Sequence, residues 1–245
     1  MAVDLPRAML IDMDDTILSA YGRPEIAWNH IAGEFADELA PVPPQEVAAA
    51  VLKFARNFWS TAEPLWRLKL DEARRLTVQG GFDALAAAGH ARLPDDLAAR
   101  IANRFTAYRE EEMFVFPGAH EAIDELKARG VRLALVTNGA AETQRAKVER
   151  FAFTHRFDHI QIEGEHGFGK PEERAYLHAM EALGVNAADT WMVGDNLEWE
   201  IVAPQRLGIY SIWMDVHGEG LPPQSPVKPD RIIRSLGELL TAPLP

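Results

Sequence analysis

AMLIDMDDTIL, residues 8–18, sets a short apolar run directly against three aspartates, Asp12, Asp14 and Asp15. An apolar run bounded by polar residues near the N-terminus reads as a fully buried strand of a parallel sheet, with Asp12 at its carboxyl end. In open α/β sheets the ligand crevice lies outside the carboxyl ends of the strands, so chemistry is expected here. Asp12 and Asp14 are two positions apart and face one side if the extended conformation persists. Two carboxylates facing one crevice repel, and such a pair calls for a divalent cation, a shared proton or a neighbouring lysine.

Downstream of Leu18 the character changes. SAYGRPE carries Gly22 and Pro24 and reads as a turn or hinge. From there to about Glu112 no strand pattern stands out, while helical spacing recurs in Ile31, Phe35 and Leu39, in Val47, Val51, Phe54 and Phe58, and in Leu97, Ile101, Phe105 and Tyr108. FVFPG at 114–118 is a turn, after which helices and strands alternate in the α/β manner. Strands are expected at 131–136, 159–162, 190–193, 209–213 and 231–233. Helices are expected at 119–129, 142–151, 172–183 and 197–207, with Gly130 and Gly184 at left-handed C-caps. The first strand is thus separated from the others by a helical block. The expectation is an α/β core with a Rossmann-like parallel sheet, residues 1–18 and 115–245, interrupted by an inserted α-helical domain, residues 19–114, with short crossings at 19–23 and 112–117 serving as a hinge.

The chain has 245 residues, 47% hydrophobic and 25% charged, an ordinary globular composition that can bury a substantial core. Its net charge of −12 argues against a nucleic-acid polymer held by charge alone. The absence of cysteine removes disulfides, thiolate catalysis and cysteine-rich zinc sites. No signal peptide or membrane-spanning stretch is evident, so a cytoplasmic protein is expected; the oligomeric state is left open. Among the eight histidines there is no HExxH pattern, and His155 and His159, which share helical spacing, fall in loop and strand, so no zinc site is expected.

Four polar constellations sit at successive strand ends: Asp12 with Asp14 and Thr16, Thr137 with Asn138 and Gly139, Lys170, and Asp195. Each has a local explanation as a cap, turn or solvated loop residue. All four at carboxyl ends of one sheet point instead to phosphoryl transfer. Asp12 would attack phosphorus and form an aspartyl phosphate, splitting one hard hydrolysis into two easier steps. Asp14 would protonate the leaving alkoxide and then activate water. Asp12, Asp195 and the main-chain carbonyl of Asp14 form an oxygen set suited to Mg²⁺. Lys170, the Thr137 hydroxyl and amides near Asn138 would bind phosphoryl oxygens, the latter at a helix N-terminus.

DMDDT (12–16), LVTNG (135–139), GFGKP (167–171) and VGDNLEWE (193–200) together resemble the four motifs of the haloacid dehalogenase-like (HAD) hydrolase superfamily. The helical block lies between the first and second motifs, where members with a C1-type cap carry theirs. The resemblance implies a Mg²⁺-dependent phosphatase acting on a small phosphorylated metabolite. Its roles fall on Asp12 as nucleophile, Asp14 as acid/base and carbonyl ligand, Thr137, Asn138, Gly139 and Lys170 on the phosphate, and Asp195 on the metal. TNGAAETQRAKVER is similar to the branch holding pyrimidine nucleotidases and N-acylneuraminate 9-phosphatase. The fourth motif departs from the family pattern: Glu200 stands where a second aspartate is common, implying a role outside the metal's own ligands, and Pro204 should kink or shorten the following helix.

Other readings on the same fold are a phosphomutase or phosphotransferase, a phosphonate-cleaving enzyme using Lys53 or Lys69, and a haloacid hydrolase, against which Asp14 argues. A non-catalytic binding protein would keep the fold but lose a motif residue, and none is lost. In the helical block, Trp59 and Trp66 lie among Arg56, Arg67 and Lys69. They could hold an anionic substrate with a base or sugar, although taken singly the tryptophans read as bundle core.

Overall fold

The computed structural model describes residues 4–241. The chain divides into two compact units, one running to Ser19 and resuming at Phe114, the other spanning Ala20–Met113. In the first unit, β1 (Ala8–Ile11) is followed by a tight turn and β2 (Leu18–Ser19).

The second unit is helical: α1 (Pro24–Glu34), α2 (Ala36–Leu39), α3 (Pro44–Thr61), α4 (Leu70–Ala87) and α5 (Asp95–Glu111). The Ile31, Phe35, Leu39 pattern is split, because the chain leaves helical geometry at Phe35. Its core joins Trp28, Ile31, Val47, Val51, Val78, Phe82, Leu97 and Ile101, with Trp28 stacked on Phe105 at a 3.7 Å centroid distance. The interior of α4 carries Gly80 and Gly81, which weaken its helical signature. Gly81 is required by packing, since a Cβ there would meet the Val51 backbone at 2.8 Å. Arg109 closes the unit on itself by donating to the Ala20 carbonyl at 2.9 Å and the Gly22 carbonyl at 3.1 Å. Trp59 corrects the bundle-core reading: it is 40% exposed, and with the half-buried Trp66 it makes edge contacts to Phe58 outside the core.

From Phe114 the first unit continues through β3 (Phe114–Val115), α6 (Ala119–Ala128), β4 (Arg132–Thr137), α7 (Ala141–Arg150), β5 (His159–Ile162), α8 (Glu163–His166), α9 (Glu173–Leu183), β6 (Thr190–Gly194), α10 (Ala203–Arg206), β7 (Tyr210–Met214) and β8 (Arg231–Ile233). Six strands form one parallel sheet in the order β5-β4-β1-β6-β7-β8. β1 is central, with Ala8 beside Arg132 on one flank and Thr190 on the other. Its residues on both faces are fully buried, as a strand covered on both sides demands. Ala8, Leu10, Ala134, Val136 and Met192 pack against Tyr176, Ala179, Met180 and Leu183 of α9. Each fully buried large side chain of this kind contributes about 1.5–3 kcal/mol.

Two elements depart from the sequence expectation. The 114–118 stretch does not merely turn: β2 and β3 pair antiparallel, Leu18 with Val115 and Ser19 with Phe114, so the two crossings are tied into a ribbon. The helix expected at 197–207 begins as a wide π-type turn (Leu197–Val202) that runs directly into α10, with Pro204 at the changeover, where it has no N–H to donate to the preceding turn. Among the described residues no helix is long and apolar enough to cross a membrane.

Candidate active site

Chain order reverses around β1: β4 and β5 extend the sheet to one side and β6 to β8 to the other. Side chains at the carboxyl ends of β1, β4 and β6 therefore converge on one crevice. The Asp12 amide continues the ladder by donating to the Val193 carbonyl at 2.9 Å, fixing the Asp12 backbone beside β6. After Met13 the chain turns sharply. Asp15 takes a left-handed conformation (φ 59°) and its amide donates to the Leu18 carbonyl at 2.6 Å, so Asp15 serves the turn while Asp12 and Asp14 flank Met13.

Lys170 organises the centre. It is fully buried, and its Nζ lies 2.5 Å from Asp12 Oδ1 and 2.7 Å from Glu200 Oε1. Thr16 donates to Asp12 Oδ2 at 3.1 Å. Burial opposes charge on Lys170, yet the two carboxylates hold its pKa above the ordinary lysine value. Asp12 is shifted upward by burial and by Asp14, against the pull of Lys170. Asp195 is raised well above the carboxylate range by burial and by the charges of Glu200, Asp12 and Asp15. Glu200 is pushed up to about 7, first by burial. Ionised together, these carboxyls would carry more negative charge than one lysine offsets.

The loops bearing these groups are locked together. The Asn138 side chain accepts from the Lys170 amide at 2.9 Å and donates to the Lys170 carbonyl at 2.7 Å. Glu163 accepts from the Gly139 amide at 3.0 Å, and the Glu200 carboxylate accepts from the Asn196 amide at 2.7 Å. The Asn138 side chain and the Gly139 amide thus have protein partners. Thr137 Oγ1 accepts from Gln144 Nε2 at 2.6 Å, which leaves its O–H to donate elsewhere.

Two residues of α7 join the site that motif reading did not assign. Lys147 Nζ donates to both Asp14 oxygens, at 2.8 and 2.9 Å, and Gln144 Nε2 reaches Asp14 Oδ2 at 2.9 Å. Both are buried, and their spacing of three puts them on one helix face with Val148. A polar pair sharing the apolar face of a helix was the available signal.

A model described as haloacid dehalogenase-like hydrolase matches residues 6–208, and the chain belongs to that family. It is 34% identical over 162 residues to a phosphoserine phosphatase of Thermus thermophilus, covering 65% of this chain and 62% of the relative. To the N-acylneuraminate-9-phosphatase of Rattus norvegicus it is 38% identical over 110 residues, 44% of each chain. The chain thus spans less than two thirds of the length of either relative. The structure of the HAD-hydrolase YfnB from Bacillus subtilis bound to magnesium superposes with a TM-score of 0.67 at 24% identity, covering 96% of this chain and 97% of that one, a likeness of fold.

Proposed function

We propose that the protein is a Mg²⁺-dependent phosphatase of small phosphorylated metabolites, with the helical unit acting as its cap. The observation that carries this reading is the Asp12 carboxylate at the end of the central strand, held by Lys170 at 2.5 Å, in a charge-rich crevice shared with Asp195. Phosphatase relatives support it.

The residues fit a magnesium ion. The donors are hard oxygens, and burial and mutual repulsion raise both Asp12 and Asp195, the signature of carboxylates short of positive charge. The Asp12 and Asp195 carboxylates and the Asp14 main-chain carbonyl would hold it. Bound there, it would neutralise phosphoryl charge that otherwise repels an anionic nucleophile.

Asp12 attacks phosphorus and the bond to the leaving oxygen breaks, giving an aspartyl phosphate and an alcohol. Asp14 supplies the proton for the leaving oxygen. It then takes a proton from the water that attacks phosphorus, which frees Asp12 and inorganic phosphate. Lys170 and the Thr137 hydroxyl offset charge on the phosphoryl oxygens. Gln144 and Lys147 keep the Asp14 carboxylate oriented.

Purified protein should hydrolyse a generic aryl phosphate with Mg²⁺ and lose that activity in chelator, and Asp12→Asn should abolish turnover without unfolding the chain. Full activity in chelator would overturn the metal assignment, and an active Asp12→Asn would remove the nucleophile. A screen of phosphorylated metabolites, with haloacids as controls, names the substrate and separates hydrolysis from transfer to a sugar hydroxyl.

A further inference from the structure

Away from the carboxylate crevice, the first unit gathers three histidines that are distant in sequence. His159 lies on the edge strand β5, His166 ends α8, and His178 sits on α9. All are half-buried, and one nitrogen from each lies within 4.8 Å of the others. The reading that no zinc site exists rested on His155 and His159; the fold pairs His159 with different partners.

Hydrogen bonds fix the tautomers of two rings. The Ile162 carbonyl, which can only accept, lies 3.1 Å from His166 Nδ1, so that nitrogen carries the proton and Nε2 presents its lone pair. Gln161 Nε2 donates to the Ala175 carbonyl at 2.8 Å, which turns Gln161 Oε1 toward His178 Nδ1 at 2.8 Å. His178 Nδ1 therefore donates, which in the neutral ring leaves a lone pair on its Nε2. The third ring, His159, has a buried Nε2 with no hydrogen-bond partner. Ligating histidines are commonly held in this way, with the far ring nitrogen donating to a carbonyl or amide oxygen.

We propose that His159, His166 and His178 form a second metal site, for a divalent transition-metal cation of the imidazole-binding class, Zn²⁺ foremost, with water completing its shell. Zn–N bonds of about 2.0–2.1 Å in a tetrahedral array place nitrogens about 3.3 Å apart, so the present span closes with small side-chain rotations. Burial, followed by the neighbouring His178 and His166, lowers the His159 pKa against an opposing contact with the Gln161 side chain, and so favours the neutral ring that can ligate. Aromatic packing alone is the competing account, since Phe168 lies edge-on to His166 and His178 at 5.7 and 5.5 Å. It gives no reason for a bare, buried His159 nitrogen beside two rings fixed in the ligating tautomer. Nor would Mg²⁺ compete here, because it prefers oxygen and keeps its waters. An ion at this site would staple β5 and α9 to the segment that leads from His166 into Lys170.

Untagged full-length protein, stripped with chelator and held in excess Mg²⁺ to fill the carboxylate crevice, should bind about one equivalent of Zn²⁺. Its thermal midpoint should rise as Zn²⁺ is added. Co²⁺ in place of Zn²⁺ should give the intense visible bands of a four-coordinate nitrogen site. His159→Gln, His166→Gln and His178→Gln should each weaken Zn²⁺ binding at least about tenfold, while Asp195→Asn should leave it unchanged. No Zn²⁺ uptake, unchanged affinity in the three histidine variants, or loss of binding in Asp195→Asn would overturn the proposal. These readouts are metal binding, so they stand whether or not the phosphatase reading holds.

Discussion

Glu200 Oε1 lies 2.7 Å from Lys170 Nζ, the same ammonium that touches Asp12. The longer side chain in the fourth motif thus folds back onto the lysine. Its pKa, pushed up to about 7 mainly by burial, sits above the ordinary value of 4.5. Over that interval the unfolded chain has lost a proton that the folded chain keeps. Stability associated with this group is therefore fully present below about pH 4.5 and is lost as pH rises toward 7. In chelator, wild-type protein should lose more stability between pH 5 and 7.5 than Glu200→Gln does, by on the order of 1–3 kcal/mol. Urea denaturation at the two pH values tests this, and parallel losses would remove Glu200 as the titrating group.

Gly194 makes that fold-back sterically feasible. A Cβ at this position would stand 2.1 Å from Glu200 Cγ. Gly194→Ala must then displace Glu200 and, with it, the second partner of Lys170. The variant should fold with reduced stability and lose at least about tenfold in kcat, because the lysine is no longer held at Asp12. Activity at the wild-type level would show that Lys170 keeps its place without Glu200.

Much of this was legible from strand ends. The buried run before Asp12, the apolar stretches before Thr137 and Asp195, and the cap glycines Gly130 and Gly184 are local signals, and the fold follows them. What was not legible depends on contacts between distant segments. The β2–β3 ribbon has only two residues per strand, too few for a period to show. Glycines obscured α4. Lys147 reads as an ordinary helix lysine until α7 is packed so that it meets Asp14. The histidine triad joins β5, α8 and α9, which no local spacing connects.

Tyr176 is fully buried on α9 and its hydroxyl donates to the Trp199 carbonyl in the π-type turn after Asp195. That bond anchors a wide turn that carries Glu200. Tyr176→Phe removes the donor while keeping the ring, and should cost about 1–3 kcal/mol. A midpoint shift in urea at unchanged slope is the expected readout. An unshifted midpoint would mean that the turn is held by its own contacts.

Lys147 touches both oxygens of Asp14, and Gln144 ties Asp14 to Thr137. If these contacts aim Asp14 at the leaving oxygen, their removal should matter in proportion to how much the leaving group needs a proton. A nitrophenolate departs readily without one, whereas a sugar alkoxide does not. Because kcat/KM reports events through departure of the leaving group, Lys147→Met should lower it about 10²-fold or more for an alkyl phosphate, and much less for p-nitrophenyl phosphate. The Asp12 nucleophile is untouched, so both substrates should still turn over. Equal losses on the two substrates would mean that Lys147 acts on binding or folding and not through the proton of Asp14.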